Sequence, residues 1–230
     1  MVFKLNKNSK ISPFDRLKEA ENLPGSRKEE FKGYVREYIQ SDNWKVRNVG
    51  VKLIGMLGFE EMVPDLVRML TDRTPDKLIN RILGGDFYQV GFIRRNCIRS
   101  LILLGKPSKD IKEAVLKALG DPYWEVRAET VYAIPKLLLR DDLKDAEKKL
   151  IELLNDRKFE VVVQSIATLG SISMDKKILN HLRKLYLHPN FKIKGVLIKA
   201  LHNLYNRGII SSKEELTSEC NKIFIPTSNY

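Results

Sequence analysis

The chain is poor in the side chains that do chemistry. Its 230 residues hold two cysteines and three histidines. Cys97 and Cys220 are too few for a disulfide framework or a cysteine metal cluster, and they form no Cys-x-x-Cys pair, so a reducing interior is expected. His181, His188 and His202 share no metal-ligand spacing, with no carboxylate or cysteine to complete a set. A Ser/His/Asp arrangement is missing, and Gly84-Gly85 is too little to make a phosphate loop. These absences speak against an enzyme and against a bound metal or cofactor. No run of about 18 apolar residues occurs, and the opening Met-Val-Phe-Lys-Leu-Asn-Lys has no apolar core of a signal peptide. A soluble, cytoplasmic protein without a membrane partner is the expectation.

What the chain does have is positive charge and hydrophobic bulk. Lys+Arg 41 against Asp+Glu 29 gives a formal charge of +12, and 43% of residues are hydrophobic, ample for a continuous core. The charge excess favours an anionic partner if it is gathered on one face, and only solubility if it is spread over all of them.

It also repeats itself. When Val46, Ile93, Val126, Val161 and Ile193 are placed in one column, the stretches 41–58, 88–105, 121–138, 156–173 and 188–205 align. The column residue, the fifth after it (Val51, Ile98, Val131, Ile166, Ile198) and the eighth (Ile54, Leu101, Ile134, Leu169, Leu201) are aliphatic in every copy. At 100° per residue they form one apolar arc, which predicts an inner helix starting at each column residue. Cys97 shares a position with Gly50, Thr130, Ser165 and Leu197, which reads as packing. Outer helices are predicted over 26–39, 60–71, 109–119, 143–154 and 175–187, with short turns making each pair antiparallel. The predicted organisation is a single domain. A loose arm spans 1–10 and a first helix lies within 11–25; repeats follow at 26–58, 59–105, 106–140, 141–173 and 174–206, and a final helix and tail occupy 207–230.

Asp121, Val126, Arg127, Thr130 and Ile134 resemble the HEAT repeat pattern, in particular the subclass similar to phycobilisome-lyase HEAT-like repeats, over roughly residues 27–205. The resemblance implies an all-α, right-handed α-α superhelix of about five repeats plus terminal helices. It also implies that the turn Asp and the Arg opening the inner helix hold adjacent turns together, which fits Asp42 with Arg47 and Asp121 with Arg127. Arg94 keeps the Arg but has Tyr88 in the Asp column; Val162 replaces the Arg in the fourth repeat, and the fifth has His188 and Lys194. HEAT-like repeats also build alkylpurine DNA glycosylases, but Trp44 and Trp124 lie in the turn column and no Trp-Trp-Asp cluster exists. A bilin-lyase activity rests on the subclass alone.

Three features bear on function. Trp44, Gly91, Trp124, Phe159 and Phe191 stand two residues before the columns, as a core cap or a stacking platform for bases. Column spacings are 33, 35 and 32 residues in the later repeats but 47 between Val46 and Ile93, so an insertion falls at 73–91. Within it, 75–83 can make a short helix and Gly84-Gly85 a turn presenting Asp86, Phe87 and Tyr88, for binding or to cover the groove. Opposite the apolar arc lies the sixth position, Lys52, Arg99, Tyr132, Ala167 and Lys199, with Arg95 and Lys136 one turn away. This is a basic concave row, unless acids such as Glu129 neutralise it. The reading is a non-enzymatic scaffold binding a partner protein through the concave face and inserted loop. The alternative is sequence-independent nucleic-acid binding by the same cations.

Overall fold

The computed structural model describes residues 11–72 and 89–224, and every regular element among them is a helix. The chain divides into two compact units, residues 1–105 and 106–230. Each is built of stacked helix pairs, the α-solenoid arrangement. No helix is long and apolar enough to cross a membrane.

In the first unit, α1 (Pro13–Ala20) opens on Ser12, whose hydroxyl accepts from the Asp15 N–H, with Pro13 in its first turn. Arg16 is buried, its guanidinium 3.5 Å from the centre of the Tyr34 ring. Helix α2 (Lys28–Ile39) buries Phe31, Val35 and Ile39 against α3 (Trp44–Leu57). The next pair is α4 (Val63–Met69) and α5 (Gln89–Leu104). Pro64 in the first turn of α4 delays the helix, so Glu60–Met62 forms a 3-10 turn where the pattern predicts helix from 60. The second unit holds α6 (Lys109–Ala118), α7 (Trp124–Leu137), α8 (Leu143–Glu152), α9 (Phe159–Ile172), α10 (Ile178–Leu182), α11 (Phe191–Asn206) and α12 (Lys213–Phe224).

The inner helices are α3, α5, α7, α9 and α11. Four of them begin two residues before the aligned column, at the aromatic position, and α5 begins at Gln89; the apolar arc marks where burial starts, not where helical backbone does. Among the fifteen aliphatic column residues only Val46 and Ile198 are not fully buried; they belong to the first and the last of the five aligned stretches. The predicted outer helix over 175–187 is instead α10 followed by a 3-10 turn, Arg183–Leu185. Asp175 is spent on a turn, its carboxylate accepting from the Lys177 N–H.

Small residues set how closely inner helices approach. A Cβ on Gly55 would lie 2.7 Å from Ser100 Cα, and one on Gly170 would lie 2.6 Å from Ala200 Cα. At the first contact Ser100 Oγ donates to the Val51 carbonyl at 2.8 Å. Between α7 and α9 the equivalent hydroxyl, Thr168 Oγ1, donates to the Val131 carbonyl at 3.3 Å. That carbonyl needs a donor from outside its helix, because Pro135, four residues on, has no N–H to give it.

The second unit is closed by two polar devices. Arg207, just past α11, donates to the carbonyls of Gly170 and Ile172 at the C-terminus of α9, where a cation is favoured. Glu219 on α12 is buried and accepts from Arg183, Tyr186 Oη and Lys222, at 2.9, 2.8 and 2.6 Å.

Candidate binding face

The turns between outer and inner helices share one construction. The residue five before the column accepts, through its side chain, the N–H two residues on: Ser41 from Asn43, Asp121 from Tyr123, Asp156 from Lys158 and His188, through Nδ1, from Asn190. The Arg opening the inner helix then donates to that residue's carbonyl, Arg47 to Ser41 at 2.7 Å and Arg127 to Asp121 at 2.7 Å. Its fork reaches the carboxylate of the following turn: Arg47 Nε meets Asp72 at 3.0 Å, and Arg127 grips Asp156 through Nε and Nη2 at 2.7 and 2.8 Å.

This corrects the expected pairs. Arg47 and Arg127 do link adjacent turns, but their carboxylate partners belong to the next repeat. Asp42 is exposed and gives Arg47 only its backbone carbonyl; Ser41 fills the position one residue earlier. Nor does the second repeat lack its Asp. Asp72 fills that place and its carbonyl accepts from Arg94 at 2.8 Å, so the insertion lies between the turn Asp and the Arg, where an alignment on inner helices puts Tyr88. Burial works to raise the Asp156 carboxyl, but the bonds from Arg127 and the Lys158 N–H outweigh it and hold it below the usual range. Arg127→Lys keeps the charge and loses the fork, and should cost about 1–2 kcal/mol. Its urea midpoint checks this; a midpoint equal to wild type would show that the fork contributes nothing.

The inner face of the first unit is a series of rungs between α3 and α5. Nearest the turns, Trp44 stacks on Phe92, centroids 6.5 Å apart and planes at 21°. Phe92 thus takes the place that Gly91 leaves empty in the aromatic row. One turn further, Asn96 donates to Asn48 at 2.7 Å, while the Arg95 guanidinium lies 4.8 Å from the centre of the Phe92 ring. Lys52 and Arg99 form the next rung, half-buried and exposed respectively. The last is apolar: Met56 is 41% and Leu103 65% exposed.

In the second unit Tyr132 is exposed on α7, with Lys136 Nζ 3.4 Å from the centre of its ring, and Lys199 is exposed on α11. The six predicted face residues therefore divide between the units, with Lys52, Arg95 and Arg99 in the first and Tyr132, Lys136 and Lys199 in the second. In the aromatic row Trp124 and Phe159 are half-buried, but Phe191 is 82% exposed and caps no core. Asp86, Phe87 and Tyr88, with the short helix over 75–83, lie outside the described residues.

Cys97 is buried, and burial first, then Asp72, pushes its thiol far above the ordinary range, so it is inert packing. His202 faces solvent with Nδ1 2.8 Å from the Ile198 carbonyl. No group of three His, Cys, Asp or Glu side chains among the described residues is placed to hold a metal.

Residues 112–202 match the family model of HEAT repeats. The HEAT match covers α7, α9 and most of α11, the inner helices of the second unit, and the Arg127–Asp156 link. Among solved structures, a crystal structure of an engineered protein from the Northeast Structural Genomics Consortium is similar at a TM-score of 0.49 and 14% identity, over 84% of this chain and 94% of that one. No curated protein matches the chain.

Proposed function

We propose that the protein is a non-enzymatic scaffold that binds a partner protein along the inner helices, with the segment 73–91 contributing to the contact. The observation that carries this is the make-up of the inner face in the first unit. Cations and exposed apolar side chains stand there on a rigid two-helix platform, and among the described residues no cluster of the acids, bases or nucleophiles that a reaction needs lies on it. HEAT repeats generally serve protein contacts, which agrees with the match over 112–202. Nucleic-acid binding by the same cations is the competing reading.

The test is capture from a nuclease-treated extract on the immobilised full chain, comparing wild type with Lys52→Ala/Arg99→Ala. Both changes lie outside the buried arc, so the melting temperature should stay within about 2 °C of wild type. A protein retained by wild type and depleted about tenfold on the variant is expected. The same proteins on both would remove the face from function. Binding of a labelled oligonucleotide that falls steeply with salt and is reduced in the variant, with no protein captured, would move nucleic acid to first place.

A further inference from the structure

We infer that the turn leading into α11 is a membrane contact: Leu187, Pro189 and Phe191 enter the headgroup region of an anionic bilayer, with Arg157, Lys158, Lys184 and Lys192 against its lipid phosphates and carboxylates. The inference goes beyond the protein-binding reading, which is carried by the first unit.

This turn is built to stand out. His188 accepts the Asn190 N–H through Nδ1 at 3.1 Å, and Asn190 caps α11 by accepting from the Lys192 N–H at 2.8 Å. These bonds fix the backbone and leave alternate residues exposed: Leu187 at 62%, Pro189, and Phe191 at 82%. The other turns differ. At the position of Leu187 they carry Gln40, Gly120 and Asn155, and at that of Phe191 the half-buried Trp44, Trp124 and Phe159. Three apolar side chains gathered on one turn form a patch, unlike the single exposures normal on a protein surface.

Charge says what the patch meets. Helices α9 and α11 pack side by side, Gly170 against Ala200, so the turns that precede them share one edge of the second unit. Over 155–159 and 184–192 these two turns carry Arg157, Lys158, Lys184 and Lys192, all exposed. Among the described residues no ion pair engages any of the four side chains. The one carboxylate in the two stretches is Asp156, which Arg127 grips; Glu152 and Glu160 flank the edge on α8 and α9. Anionic headgroups draw such cations, and the bilayer interface opens around Leu187 and Phe191 without a preformed pocket. A folded acidic protein needs a cavity to receive a projecting turn. A nucleic acid can stack on Phe191 but gains nothing from Leu187. The contact is with the surface, since no helix is long and apolar enough to cross. Hydropathy, which led to the expectation of no membrane partner, measures long apolar runs and passes over a turn of this kind.

The test is sedimentation of the full chain with vesicles of phosphatidylcholine containing phosphatidylserine, against vesicles of phosphatidylcholine alone, at physiological salt. A chain of formal charge +12 is drawn to any anionic surface, so the variants decide. Leu187→Ser/Phe191→Ser keeps every charge and should weaken binding to the anionic vesicles about tenfold, and Lys184→Glu/Lys192→Glu should weaken it further. Lys148→Glu/Lys149→Glu makes the same charge change at exposed positions of α8 and should leave binding within about twofold of wild type. All these positions are exposed, so melting followed by circular dichroism should match wild type in each. Binding that survives Leu187→Ser/Phe191→Ser, or that falls as far in Lys148→Glu/Lys149→Glu as in Lys184→Glu/Lys192→Glu, is general attraction and overturns the proposal. So does a failure to bind the anionic vesicles. A single-stranded oligonucleotide that binds, and loses affinity in Phe191→Ser while the vesicles are ignored, assigns the edge to stacked bases instead. Capture on Lys52→Ala/Arg99→Ala reports a different surface, so either reading can fall without the other.

Discussion

Gly170→Ala should lower the stability of the second unit by about 2–3 kcal/mol, while Gly195→Ala, the same change on the next inner helix, should raise it by about 0.5–1 kcal/mol. Both glycines are in helix interiors, so each gains the same propensity on becoming alanine, about 1 kcal/mol. The difference is what the new methyl meets. On Gly170 it would lie 2.6 Å from Ala200 Cα and 2.7 Å from its Cβ, and backbone cannot swing aside as a long side chain can. Helices α9 and α11 must separate, and every contact between them loosens, including the buried Leu169 and Leu201. On Gly195 the methyl meets nothing within 4 Å. Urea denaturation followed by Trp124 fluorescence, with Trp44 replaced by Phe, reads the second unit. Midpoints that shift in the same direction would mean that the α9–α11 approach is looser than the structure has it.

The contrast shows what a sequence conveys and what it does not. The period and the apolar arc were legible, because a helix that must bury one stripe repeats that stripe whatever surrounds it. Which glycine is a contact was not, since that depends on the residue a neighbouring helix brings opposite. A signal did exist: the ninth position after the column in one repeat meets the seventh in the next, and both members are small in Gly55–Ser100 and in Gly170–Ala200. Asp72 was hidden for a different reason. Aligning on inner helices keeps their register and loses any turn residue that lies before an insertion. On the binding face the sixth position could be read as exposed because it stands opposite the arc. The exposed apolar rung of Met56 and Leu103, at the tenth, could not be separated from core by composition alone.

Glu219 was legible in principle, for it interrupts the stripe of Leu216 and Ile223 that α12 buries, and a charge in such a stripe calls for partners. Its partners come from α12 itself, Lys222, and from the segment after α10, Arg183 and Tyr186. Burial alone would raise this carboxyl; the bonds from Arg183, Lys222 and Tyr186 more than reverse that and bring it down from 4.5 to about 2. Burial first, and then the hydrogen bond to Glu219, pushes the Tyr186 hydroxyl up, so it stays protonated and donates. Because the folded value lies below the unfolded one, the stabilisation is fully present above about pH 4.5, is lost as pH falls towards 2, and amounts to on the order of 3 kcal/mol at neutrality. Glu219→Gln should therefore be destabilised by a similar amount at pH 7, with the gap to wild type closing between about pH 4.5 and 2.5. Other carboxyls held low, such as Asp156, weaken both proteins alike in acid, so the difference between their urea midpoints isolates Glu219. A gap that stays constant over that range would mean that the carboxylate's charge is not what holds α12 in place. A gap that closes assigns the docking of α12 to the charge of one buried carboxylate with three donor residues, beside Arg207 at the end of α9, in a repeat whose column residue Ile198 is only half-buried.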